Sequence, residues 1–124
     1  MPFREGATVK PKTVYQKKNV GEDQNKVVRL ASKISNNDID FITTIEAENG
    51  LWTLNRVSRR NSDGSYDKGL CQLNSRYHAT FIKSKDFDSA EAQIKYCWNV
   101  YKNRPSSFYG WYKRKNHYNK FYIP

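Results

Sequence analysis

Two stretches decide how this chain is read: Glu48-Asn49-Gly50-Leu51-Trp52, and Asn61-Ser62-Asp63-Gly64-Ser65-Tyr66-Asp67-Lys68-Gly69-Leu70-Cys71-Gln72-Leu73-Asn74-Ser75-Arg76. The first closes an amphipathic segment with a glutamate. Upstream of it, Ile39, Phe41, Ile42 and Ile45 recur at helical spacing, and Asn36, Asn37 and Asp38 supply an N-cap. Asn49-Gly50 predicts where that helix stops, because glycine is favoured just past a helix C-terminus. In the second stretch, Asp63-Gly64 is a strong turn signal. Flanked by Leu51–Val57 on one side and Tyr66 on the other, it predicts a small hairpin or irregular β-lobe.

Further upstream, Val27, Val28, Leu30, Ala31 and Ile34 predict an amphipathic helix over residues 22–34. Residues 1–20 are lysine-rich, hold Pro2 and Pro11 and lack a steady period, so they read as a basic arm or linker. Downstream, short helical pieces are expected around 70–73 and 77–83. Asp88 and Glu91 then form a capping-box variant ahead of Ala90, Ile94, Cys97, Trp98 and Tyr101, which share one helical face. Pro105 ends that helix. Residues 106–124 are aromatic and basic. The expected fold class is α+β, mostly α, with a helical core and a small β-hairpin lobe, and the folded domain is expected to span 21–124.

The chain has 124 residues, enough for one core. Only 37% are hydrophobic, but 15% are aromatic, and aromatic side chains bury much area each. A formal charge of +10 suits a polyanionic partner: nucleic acid, an anionic membrane surface or a bacterial wall. No segment approaches the ~20 apolar residues of a membrane span. The opening MPFREGATVKPK lacks the apolar core of a secretory signal. Signal removal or another route, such as lysis or injection, is therefore expected. Two cysteines, Cys71 and Cys97, without Cys/His spacing, predict no metal site. Free thiols and one disulfide both remain open.

A helix ending in a carboxylate, a turn-rich lobe, and a second carboxylate leading into Gly-Leu-x-Gln-Leu-Asn can bring two acids to face each other across a groove. Glycosidic cleavage needs that pair: one protonated acid for the leaving oxygen, and a second group to handle positive charge on the sugar. The run from Asn61 to Arg76 resembles the active-site β-lobe of c-type lysozymes. It is equally similar to the secretion-associated lytic transglycosylases with their DxGLxQIN run. Glu48-Asn49-Gly50-Leu51 resembles the ES(N/G)F segment that holds the catalytic glutamate in both families. About 30 residues carry the resemblance, and the flanking helices match only in general arrangement.

The resemblance implies a lysozyme-like fold and cleavage of peptidoglycan glycan strands, with no metal or organic cofactor. It implies Glu48 as the acid, three residues before the bulky Leu51. Glu46 competes, since it shares a stripe with Ile39 and Ile42 and burial keeps a carboxyl protonated. The acid not used would be a solvated helix-end charge. Asp67 matches the second carboxylate, which both families can carry, so it does not choose between hydrolysis and anhydro-product formation. Gln72 and Asn74 are implied at the glycan, on one side if their segment is extended. Asn61 is implied near the developing charge, or else as a turn amide. Tyr109, Trp111 and Trp52 are candidate groove walls; Trp98 is expected in the core. His78 and His117 are expected to be structural. Neither cysteine matches one that c-type lysozymes require.

A monomer acting in the periplasm, outside the cell or at the wall is expected, without a specific nucleic-acid partner. One alternative keeps the fold as a non-catalytic peptidoglycan-binding module. Another uses the basic, aromatic tail (Lys113, Arg114, Lys115, Tyr118, Lys120 and Phe121) on nucleic acid, though no nucleic-acid motif accompanies it.

Overall fold

A computed structural model describes residues 13–103 and 111–124, the segment 111–115 by its backbone alone. The first helix, α1, runs Glu22–Ile34 and turns Val28 and Ala31 fully inward. Glu22 and Asp23 in its first turn and Lys33 in its last complement the helix dipole. Asn36 and Asn37 follow with φ of 55° and 63°, left-handed values that asparagine tolerates better than most residues. The Asn37 amide closes the turn on Ser32 O at 2.7 Å. Asp38 then caps α2 (Ile39–Glu48), its carboxylate accepting from the Phe41 amide at 2.9 Å.

Helix α2 is the centre of the core. Phe41, Ile42 and Ile45 are fully buried, at about 2–3 kcal/mol each by the area rule. Phe41 meets the edges of Trp98 and Tyr101 at centroid distances of 5.1 and 5.4 Å. Both rings come from α4 (Ala90–Asn103), whose Ile94 and Cys97 are fully buried. Trp98 is a partly buried flank of the core rather than its interior. Ser89, not Asp88, caps α4: its Oγ accepts from the Ala92 amide at 3.1 Å, while Asp88 ends a 3-10 turn over Lys85–Asp88. Pro105 lies outside the described residues.

The stretch expected as a basic arm or linker packs on the rest of the domain from residue 13 onward. Gln16–Lys17 form β1, antiparallel to β4 (Phe121–Tyr122), with Gln16 opposite Tyr122 and Lys17 opposite Phe121. Val14 is buried, and Asn25 of α1 accepts from the Lys17 amide at 2.7 Å. Between α4 and β4, residues Trp111–Lys120 form a 3-10 helix that packs against α2. Lysine-rich composition hid this because the strands are only two residues long.

The β-lobe is smaller and more irregular than a hairpin across residues 51–66. β2 (Asp67–Lys68) pairs antiparallel with β3 (Leu73–Asn74), and Val57 adds a single bridge to Lys68. The connection Leu70–Gln72 is a turn rather than a helical piece. Ala79–Ile82 do form the short helix α3. A disulfide joins Cys71 in the lobe to Cys97 on α4, with Cα atoms 6.4 Å apart. The fold is a small α+β domain, and among its described residues no helix is long and apolar enough to cross a membrane.

Candidate active site

Asn49 ends α2 and is completely buried. Its Nδ2 donates to Thr53 O at 2.7 Å and to Gly69 O at 3.1 Å, and its Oδ1 accepts from the Thr53 amide. One amide thus ties the helix end to the lobe. Gly69, with φ of 92°, is the receiving point. A Cβ there would lie 2.7 Å from both Gln93 Oε1 and Phe87 Cζ, so glycine is required by backbone and by space. Gln93 of α4 is buried and holds the segment from the other side: Oε1 accepts from the Leu70 amide at 2.9 Å, and Nε2 donates to Phe87 O and Leu54 O.

These ties fix two carboxylates near each other. Glu48 is half-buried on the last turn of α2, and Asp67 is half-buried on β2. Burial pushes the Glu48 carboxyl up from 4.5 to about 7, the Asp67 charge pushes the same way, and the Arg56 guanidinium opposes both. Glu48 therefore keeps its proton to a much higher pH than an ordinary carboxyl. That is the state a general acid needs. Asp67 is held by Asn74, whose Nδ2 donates to its Oδ1 at 3.1 Å. The Asp67 amide donates to Ser58 Oγ at 2.9 Å.

Glu46 takes a different role. It is buried, as its stripe predicts, but it is no solvated helix-end charge. Its Oε1 accepts from Trp52 Nε1 and pairs with Lys17 Nζ, both at 2.8 Å, while Oε2 meets Lys120 Nζ at 3.4 Å. Lys17 also donates to Gly50 O and Gln24 Oε1. This carboxylate locks β1, α2 and the C-terminal 3-10 helix together. His117 lies by the same cluster, its Nδ1 buried without a hydrogen-bond partner. Burial, reinforced by Lys120, lowers its pKa. His78 bonds to the Tyr96 hydroxyl through Nδ1 at 2.8 Å.

The remaining predicted residues divide. Asn61 is exposed and makes a turn amide: its Nδ2 donates to Ser65 Oγ at 3.0 Å, and Gly64 takes a φ of 86° in the same turn. Gln72 adopts a φ of 53°, so the strand alternation that put it beside Asn74 does not hold. Its Nε2 instead donates to Gly69 O and Arg56 O. Asn74 reaches Ser65 Oγ and Asp67 together, which makes it a brace of the second carboxylate. Trp52 is no groove wall. It is 2% exposed, packs on Phe121 and is held at a left-handed φ of 56°. Tyr109 lies outside the described residues. For Trp111 only the backbone, opening the 3-10 helix, is described.

Sequence reasoning passed over Asn49, Arg56 and Gln93. Gln93 did carry a signal: it shares a helical stripe with Ala90 and Cys97, and a polar residue there must find buried partners. Among the described residues no cluster of His, Cys, Asp or Glu could hold a metal ion. Comparison of the chain with family models, with curated proteins and with solved structures returned no match.

Proposed function

We propose that the protein is a muramidase of lysozyme-like fold, cutting the β-1,4 bond between N-acetylmuramic acid and N-acetylglucosamine in peptidoglycan. The observation that carries this reading is Glu48: a half-buried carboxyl with a pKa raised to about 7, beside the second carboxylate Asp67. Two carboxyls whose environments differ in this way suit an acid and an anion working as a pair.

In the proposed reaction Glu48 gives its proton to the glycosidic oxygen as the C–O bond breaks. Positive charge then spreads over C1 and the ring oxygen of the muramic residue, and Asp67, braced by Asn74, stabilises it. Glu48, now ionised, takes the proton of whichever nucleophile completes the reaction. With water the product is a reducing end. With the muramic 6-hydroxyl it is a 1,6-anhydro end. Gln72, through its Oε1 as an acceptor, and Asn61 are candidate partners for sugar hydroxyls and N-acetyl groups, and the chain's +10 charge favours capture on an anionic wall, an attraction that weakens with salt. The wall, reached from outside the cell or through the periplasm, is the proposed site of action.

The test is digestion of purified peptidoglycan followed by mass spectrometry of the released fragments. New chain ends from the wild type, and none from Glu48→Gln, support the reading. Tight binding without new ends would instead make the chain a glycan-binding module. Loss of cleavage in Glu46→Gln, with Glu48→Gln active and both folded, would move the acid.

A further inference from the structure

We propose that Arg56 is a positioning residue of this site: it reaches from the β-lobe to the backbone carbonyl of Glu48 and fixes the acid-bearing end of α2 against the lobe that carries Asp67. The inference rests on the muramidase reading for its kinetic part only. Arg56 belongs to the lobe by its backbone, whose carbonyl accepts from the Gly69 amide at 2.8 Å and from Gln72 Nε2 at 3.1 Å. Its side chain leaves the lobe and donates from Nη1 to Glu48 O at 2.5 Å.

That contact does two separate things. Glu48 O is one of the carbonyls that a helix C-terminus leaves without an intrahelical partner, and a guanidinium there satisfies it and complements the dipole. It also spans the gap between α2 and β2 in the opposite direction to Asn49, whose side chain runs from helix to Gly69 O. Two crossed ties resist sliding of the helix end along the lobe, where one tie would leave a hinge. Arg56 is thus the link through which Glu48, Gly69 and Gln72 keep one geometry.

The guanidinium also brings a charge. Glu48 faces Asp67 and Arg56 from the lobe, and the two act on it with opposite sign. On its own helix, two residues back, Glu46 is matched by Lys17 of β1 and by Lys120, with His117 beside them on the C-terminal 3-10 helix. The Glu46 carboxylate is met by these cations, whereas Arg56 is the cation acting on Glu48. Arg56 is exposed, so its removal is compatible with folding.

The experiment titrates the Glu48 carboxyl by carbon-13 NMR in the full chain labelled at glutamate, assigned by the signal missing from Glu48→Gln. Wild type, Arg56→Gln and Arg56→Lys are compared, and the pH dependence of peptidoglycan cleavage is measured beside each. In Arg56→Gln the Glu48 midpoint should rise by about 0.5 unit or more, and the basic limb of the activity profile should move with it. Arg56→Lys keeps the charge but not the planar fork, so its midpoint should shift less, while both variants lose several-fold in plateau rate through the lost tie. A Glu48 midpoint unmoved in Arg56→Gln, or plateau rates equal to wild type in both variants, would overturn the proposal. The titration needs no substrate. A wild type that cuts nothing therefore defeats the muramidase reading while the Arg56 charge is still decided, and an active wild type with an unmoved midpoint defeats Arg56 alone.

Discussion

Replacing Glu48 by glutamine should make the protein more stable near pH 8 and leave its stability near pH 4 almost unchanged. In the unfolded chain this carboxyl ionises around 4.5, whereas in the folded protein it holds its proton up to about 7. Below 4.5 both states are protonated and the group favours neither. Between 4.5 and 7 only the unfolded chain gains the ionised form, so folding stability drains away, and above 7 the loss has reached its plateau. A gap of about 2.5 pH units at about 1.4 kcal/mol per unit sets a ceiling of roughly 3–4 kcal/mol. Glu48 is only half-buried, and screening by solvent reduces this to about 1–2 kcal/mol. Glutamine imitates the protonated carboxyl at every pH and does not incur the loss. Urea unfolding followed by tryptophan fluorescence, on wild type and variant at both pH values, measures it, and differences common to both pH values cancel. The melting temperature near pH 8 should rise by roughly 3–8 °C. A variant no more stable than wild type near pH 8, or one that gains equally near pH 4, would show that the Glu48 pKa is not raised by folding.

Three further outcomes follow from the architecture. Glu46→Gln leaves the half-buried Lys17 ammonium without its anion and should lower stability by about 3 kcal/mol in urea titrations, while the basic limb of any cleavage profile stays in place. Gly69→Ala forces a side chain into a left-handed backbone and against Gln93 and Phe87, and should cost about 2 kcal/mol or more, read by thermal melting. Replacing both Cys71 and Cys97 by alanine opens a loop of 26 residues, worth about 3 kcal/mol by chain entropy, and should show as a lower urea midpoint.

The parts of the fold that were legible in the sequence are those with long-range periodicity. The 22–34 helix and the helix begun by Asp38 stand where their apolar spacing and cap put them, because a stripe of Val28 and Ala31, or of Phe41, Ile42 and Ile45, can be satisfied only by burial on one side. The two-residue strands were not legible. β1 and β4 are too short to alternate, and they pair across about a hundred residues of chain, with Lys17 of β1 also reaching Glu46 on α2. The same limit applies to the site. The Glu48 and Asp67 pair could be anticipated from spacing and resemblance, and the burial of Glu46 from its stripe, but the charged partners that separate the two glutamates could not. Both end the same helix, and only the folded chain brings lysines to one and a second carboxylate to the other. The expected alternation of Gln72 with Asn74 does not hold, for a local reason: alternation needs extended backbone, and the turn after Gly69 puts Gln72 in the left-handed region instead.

The sharpest test of Glu48 as the proton donor to a glycosidic oxygen is a kinetic one. It is the rate at which new chain ends appear in purified peptidoglycan, followed across pH for wild type and Glu48→Gln. Cleavage by the wild type should fall away above about pH 7 as Glu48 ionises, and the variant should produce no new ends. Undiminished cleavage by Glu48→Gln, or no new ends from the folded wild type at any pH, would contradict it.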